Sequence, residues 1–150
     1  MDLRSLYEEV ILDHNRNPRN YPKKPEDTNR SAHGYNPLCG DDFHVHLTVH
    51  NGIITDMGFE GTGCAISTAS ASLMTEALIG KDESEAHTLF HDVHAMITAE
   101  EDDGKYNDRI GKLSVLGGVR EFPMRVKCAT LAWHTLEAAL KQSTDPVTTE

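Results

Sequence analysis

Phe43-His44-Val45-His46-Leu47-Thr48-Val49-His50-Asn51-Gly52-Ile53-Ile54-Thr55-Asp56-Met57-Gly58-Phe59 is the stretch that decides the fold. Phe43, Val45, Leu47 and Val49 alternate with His44, His46, Thr48 and His50, the two-residue period of a strand with one buried face. Asn51-Gly52 is the dipeptide of a two-residue hairpin turn. Ile53, Thr55, Met57 and Phe59 then predict the return strand. A short third strand before Pro37 is only weakly signalled.

Upstream of this hairpin, Leu3, Leu6, Tyr7, Val10 and Ile11 recur at helical spacing and predict a helix from about Asp2 to His14. Pro18, Pro22 and Pro25 break regular structure, so residues 15–27 are expected to form a surface loop. Downstream, Cys64 to Ile79 is rich in Ala, Ser and Leu and ends at Gly80, a helix stop. Asp82 and Glu85 have the spacing of a capping box before a second helix carrying Ala86, Leu89, Phe90, Val93, Met96 and Ile97. Glu101 to Gly118 shows no clear period, and acidic Glu100 to Asp103 is expected to start a solvated loop. A last helix is predicted from about Pro123 to Gln142, with Ala129, Ala132, Trp133, Leu136 and Leu140 inward. Residues 1–142 are expected to form one domain and 143–150 a disordered tail. The order helix, sheet, helices gives an α+β class, a small antiparallel sheet packed against helices.

The chain has 150 residues, 24 Asp plus Glu against 14 Lys plus Arg, and a formal net charge of −10. That balance argues against a nucleic-acid partner, which needs a basic surface, and against an anionic membrane. No apolar run is long enough for a membrane span. The opening Met1-Asp2-Leu3-Arg4 lacks the layout of a secretory signal, so a cytoplasmic location is expected.

Three cysteines cannot all pair within one chain. In a reducing compartment they read as metal-binding or reactive thiols, with three unrelated core cysteines as the alternative. Each falls at an element boundary. Cys39 lies in the turn Asn36-Pro37-Leu38-Cys39-Gly40-Asp41, where Gly40 allows a bend that turns Cys39 and Asp41 toward one centre. Cys64 ends Gly61-Thr62-Gly63-Cys64 and opens a helix, a position that favours thiolate. Cys128 lies in the first turns of the last helix, near Arg125 and Lys127, whose charges also favour thiolate. Three thiolates and one carboxylate fill a tetrahedron that suits zinc. The same thiolates also suit an iron–sulfur cluster.

Pro37-Leu38-Cys39-Gly40-Asp41, Gly61-Thr62-Gly63-Cys64-Ala65-Ile66-Ser67-Thr68-Ala69-Ser70 and Arg125-Val126-Lys127-Cys128-Ala129-Thr130-Leu131-Ala132 closely resemble the NifU/IscU family of iron–sulfur cluster assembly proteins, over most of the chain. The resemblance implies a SufE/NifU/IscU-like fold and Zn²⁺ held by Cys39, Asp41, Cys64 and Cys128. Fe²⁺ or a transient iron–sulfur cluster is the alternative occupant. The IscU type has a His directly before the third cysteine, where this chain has Lys127, and Gly104 to Arg120 looks inserted. Both features resemble the SufU branch. That branch implies a zinc-dependent sulfurtransferase taking persulfide sulfur from a pyridoxal-phosphate cysteine desulfurase of the SufS type, upstream of SufBCD-type assembly proteins. By the same resemblance Cys39 is the sulfur acceptor, and Arg125 is the candidate for placing or exchanging it. The alternative is an assembly scaffold holding a nascent cluster. A zinc hydrolase ranks last, because four protein ligands leave no open water position.

Other residues invite metal or catalytic readings that the sequence does not sustain. His87, His91 and His94 share a helix face, but Thr88 stands where a metalloprotease needs Glu. His44, His46 and His50 are expected on a solvated strand face. Ser67, Ser70 and Ser72 lack a nucleophile-elbow pattern and are expected to let helices pack closely. Gly117-Gly118 lacks the Lys-Ser or Lys-Thr of a phosphate loop.

Overall fold

The structure is a computed structural model that describes residues 3–99 and 110–148. The acidic stretch at 100–103 lies outside the described residues, as does the first part of the segment read as inserted. The chain runs α1 (Leu3–Arg16), β1 (Arg30–Asn36), β2 (Asp41–His50), β3 (Ile53–Thr62), α2 (Ala65–Leu78) and α3 (Glu83–Thr98). A 3₁₀ helix (Gly111–Glu121), a 3₁₀ turn (Pro123–Arg125), α4 (Val126–Leu140) and the two-residue β4 (Val147–Thr148) follow.

The sheet has the order β3-β2-β1-β4. The β2–β3 hairpin is as the alternation predicts, and Asn51 and Gly52 take φ of +52° and +78°, the pair of left-handed residues a tight hairpin needs. Phe43, Val45 and Leu47 are buried on the inner face. The return strand differs in phase: Ile54 is buried and Ile53 is partly exposed. A bulge causes this. Thr48 pairs with Asp56 and Val49 with Ile54, leaving Thr55 as the extra residue, and its hydroxyl donates to the Thr48 carbonyl at 3.3 Å.

The weakly signalled strand is a full seven-residue partner, β1, antiparallel to β2. Its inward residues, Ala32, Gly34 and Asn36, are small or polar, which hides the alternation. Small residues are required because α4 lies close: a Cβ on Gly34 would collide with the Thr135 hydroxyl. The far edge of β3 is covered by the 17–29 loop, through Phe59 N–H to the Asn20 carbonyl and Lys23 N–H to the Phe59 carbonyl, both 3.1 Å. At the opposite edge the chain end, expected to be a disordered tail, lays Val147 and Thr148 parallel to Gly34 and Tyr35 as β4. The open edge of β1 supplies hydrogen-bonding groups, and Val147 packs against the core.

α4 crosses the inner face of β1 and β2, and α2 packs between α4, α1 and β3. α2 fits among these neighbours because Ala69, Ser70, Ala71 and Ser72 are all small and buried. Ser70 joins the two helices: its hydroxyl donates to the Ala129 carbonyl at 2.6 Å and accepts from Trp133 Nε1 at 3.1 Å. α3 begins at Asp82, whose carboxylate accepts from Glu85 N–H at 2.7 Å, the first half of the expected capping box. The 3₁₀ helix, expected to be irregular, buries Leu113, Leu116 and Val119 against α1 and α3. No helix of the described residues is long and apolar enough to cross a membrane.

Candidate metal and thiol site

Four segments converge at the end of the sheet where β1 turns into β2. The turn holding Cys39 is built by Asn36, which accepts Leu38 N–H on its side chain at 3.2 Å and Cys39 N–H on its carbonyl at 3.2 Å. Gly40 follows with φ +74°, a left-handed bend that reverses the chain and starts β2 at Asp41. Asp41 is the first inward-facing residue of β2 and is almost wholly buried.

Cys64 caps the N-terminus of α2. Its sulfur accepts the Ser67 N–H at 3.4 Å, and its own N–H donates to Asp41 Oδ1 at 2.8 Å. Cys128 is buried in the first turn of α4, with its sulfur 3.2 Å from that of Cys39. Cys39, Asp41 and Cys128 place their ligand atoms within 4.8 Å of one another. Cys64 sits at the side of this trio, tied to it by the hydrogen bond from its N–H to Asp41. The structure therefore brings three of the nominated residues, Cys39, Asp41 and Cys128, to within ligand-sharing distance, with Cys64 beside them and outside that group.

The electrostatics divide the thiols. Cys64 is held well below the ordinary thiol range, first by the hydrogen bond from Cys128 and then by Ser67, against the opposing effect of burial. Cys128 is pushed up by Cys64, by burial and by Cys39. Arg125, on the 3₁₀ turn before α4, is raised by its hydrogen bond to Cys128 and by the charge of Cys64. Its guanidinium thus borders the sulfurs from the solvent side.

One atom tests whether a metal ion fits. Asp41 Oδ1 is taken by Cys64 N–H, whereas Asp41 Oδ2 is buried with no hydrogen-bond partner among the described residues. A buried carboxylate oxygen left without a donor is costly, and this carboxylate lies beside two sulfurs. A cation with borderline-soft character matches this mixed sulfur and oxygen set.

Sequence reasoning missed three neighbours. Tyr7 of α1 is buried, its hydroxyl has no partner among the described residues, and its pKa is pushed up to about 12 by burial and by the nearby charge of Cys64. In sequence it is only one more apolar position of a helix. Leu38 and Met124, next in the chain to Cys39 and Arg125, are 74% and 86% exposed. Apolar residues inside turns, outside any periodic stripe, were the available signal. Two of the histidines of α3 are engaged elsewhere: His87 Nδ1 bonds Glu137 at 2.9 Å, and His94 packs against Phe90 and His134.

Comparison with known proteins agrees with this geometry. The family model described as "NifU-like N terminal domain" matches residues 6–147. The chain is 38% identical over 141 residues to the iron–sulfur cluster assembly scaffold protein IscU of Streptococcus pyogenes, covering 94% of this chain and 86% of that protein. It is 40% identical over 136 residues to the zinc-dependent sulfurtransferase SufU of Bacillus subtilis, covering 91% and 90%. The fold superposes with a TM-score of 0.81 on a crystal structure from Fervidobacterium islandicum, described as a putative iron–sulfur cluster assembly scaffold protein for the SUF system, at 35% identity over 91% of this chain and 97% of that one. With its three cysteine segments gathered at one end of the expected α+β fold, the chain belongs to the NifU-like N-terminal domain family, together with relatives named IscU and SufU.

Proposed function

We propose that this protein accepts sulfur from a cysteine desulfurase for iron–sulfur cluster assembly, and that Cys39 is the accepting thiol. The observation that carries the reading is the placement of Cys39 on a glycine turn, 3.2 Å from Cys128, while Cys64 and Cys128 are anchored on helices. A zinc ion held by Cys39, Asp41, Cys64 and Cys128 would keep the thiols deprotonated and join the segments they sit on.

The chemistry asked of the chain is thiol exchange. The Cys39 thiolate attacks the outer sulfur of a persulfide on the desulfurase. A sulfur–sulfur bond forms to Cys39, the bond to the desulfurase cysteine breaks, and that cysteine leaves as a thiolate. The swap is redox-neutral. Arg125 borders the sulfurs and offsets the negative charge that gathers there. Leu38 and Met124 frame the site with exposed apolar surface, the character of an interface centre rather than of open solvent. An acidic chain suits a partner surface carrying positive charge. A SufS-type enzyme as donor and SufBCD-type proteins as recipients follow from the branch that Lys127 resembles.

The relative named as a scaffold supports a second reading, in which the same four residues hold a nascent cluster. Metal analysis beside a visible spectrum separates the two. The sulfurtransferase reading expects a colourless protein with about one zinc per chain. A brown protein containing iron and acid-labile sulfide would replace it with the scaffold reading.

A further inference from the structure

The outer face of the sheet carries a second group of metal-ligating side chains, apart from the sulfurs. His33 of β1 and His44 of β2 are direct cross-strand partners, with rings stacked 4.3 Å apart and only 6° from parallel. Asp42 lies two residues before His44 on the same face, and its Oδ1 is 2.7 Å from His33 Nε2. The three residues place a ligand atom each within 4.8 Å of one another. From these positions we infer that His33, Asp42 and His44 form a binding site for one divalent first-row transition-metal ion.

The donor set defines the class of ion. Two imidazoles with one carboxylate suit zinc, cobalt, nickel, copper or ferrous iron, and not calcium or magnesium, which take oxygen ligands. A tetrahedral ion with ligands at about 2.0–2.2 Å separates them by roughly 3.4 Å. The present His33–Asp42 contact needs to open by under an ångström, and both Asp42 and His44 are exposed. The ion takes the place of the hydrogen bond between His33 Nε2 and Asp42.

The surroundings hold the ligands and leave room for the ion. His46, the next outward residue of β2, is locked by Ser31 on Nδ1 and Glu60 on Nε2, both at 2.8 Å. It is therefore a buttress under the neighbouring His44 ring, whose centroid is 6.3 Å away, and not a ligand. His33 and His44 sit on paired strands in fixed register, so little freedom is lost on binding. Both line an open groove of about 430 Å³ walled by Gln142, Thr144 and Asp145, which gives an ion and its remaining waters access. The net charge of −10 adds a general attraction for cations.

The site is separate from the sulfurs by strand geometry. Asp41 and Asp42 are adjacent in the chain, but alternation sends Asp41 to the buried face and Asp42 to the outer one. The outer site exposes its ion and offers three ligands rather than four, so it exchanges its metal more readily than the thiol site does.

The test adds Co²⁺ to full-length protein carrying one equivalent of Zn²⁺. Cobalt on cysteines shows thiolate charge-transfer bands, whereas cobalt on imidazole and carboxylate shows only weak visible bands, so the two sites are told apart wherever the zinc resides. We expect one further equivalent of cobalt, free of thiolate bands. His33→Ala and His44→Ala should each weaken it at least about 10-fold, and His91→Ala on α3 should leave it unchanged. An unchanged zinc content in the variants shows that they are folded. Failure to bind any thiolate-free cobalt, or wild-type binding by both strand variants, overturns the inference.

Discussion

The Cys64 backbone N–H donates to Asp41 Oδ1 at 2.8 Å, so the carboxylate ties the start of β2 to the N-terminal cap of α2. Its other oxygen is buried with no donor among the described residues, and the carboxylate lies beside Cys39 and Cys128. Asp41 therefore joins the sheet to the helix layer with one oxygen and leaves the second available to an ion. Replacing it affects both. Asp41→Ala should weaken zinc by about 100-fold or more, measured by competition with a chromophoric chelator. Asp41→Asn keeps the hydrogen bond to Cys64 but lacks the charge, and should recover the fold more fully than the metal affinity.

Removal of the metal should loosen the whole end of the sheet. Cys39, Cys64 and Cys128 lie on three separate segments, and binding energy that joins them is in part folding energy. Chelation should lower the melting temperature in calorimetry, and restoring zinc should bring it back. A melting curve indifferent to verified zinc removal contradicts this.

The helix pair is most sensitive at Ser70. Its hydroxyl serves the Ala129 carbonyl and Trp133 Nε1 in a fully buried place. Ser70→Ala leaves a donor and an acceptor unsatisfied and should cost about 1–3 kcal/mol in urea unfolding. Ser84→Ala, outside these bonds, should lie within about 0.5 kcal/mol of the parent.

Two histidines set an acid limit. His14 and His134 are both held below the ordinary histidine value, chiefly by burial, then by Arg19 and by His94 respectively. The unfolded chain binds protons more readily at these positions, so stability is complete above the ordinary value, about 6.5, and declines as the pH falls below it. Thermal melts of the metal-free protein should show a falling melting temperature from pH 7 to pH 5. His134→Phe, placed against Phe90, should flatten that slope.

The hairpin and the three cysteine segments were legible because each carries a local rule: two-residue alternation, Asn-Gly in a turn, a thiol at a helix start. Features that depend on distant neighbours were not. The inward residues of β1 are small because Thr135 of α4 lies against Gly34, which no local pattern encodes. The bulge that puts Ile54 inside in place of Ile53 arises from pairing with Thr48 and Val49. The 3₁₀ helix did leave a trace, Leu113, Leu116 and Val119 at three-residue spacing, but a helix search at 3.6 residues passes over it. In the site, the convergence of Cys39 with Cys128 came from family resemblance, since 89 residues separate them. The partnering of His33 with His44 became visible only once β1 was in register.

The account rests most on Cys39 as the residue that receives sulfur. The direct measurement mixes the protein with a cysteine desulfurase and cysteine, traps persulfides by alkylation, and locates the added sulfur by mass spectrometry of peptides. The predicted result is one extra sulfur on the Cys39 peptide, absent in Cys39→Ser, in a variant that still stays folded. Extra sulfur on Cys64 or Cys128 with Cys39 unmodified would contradict it.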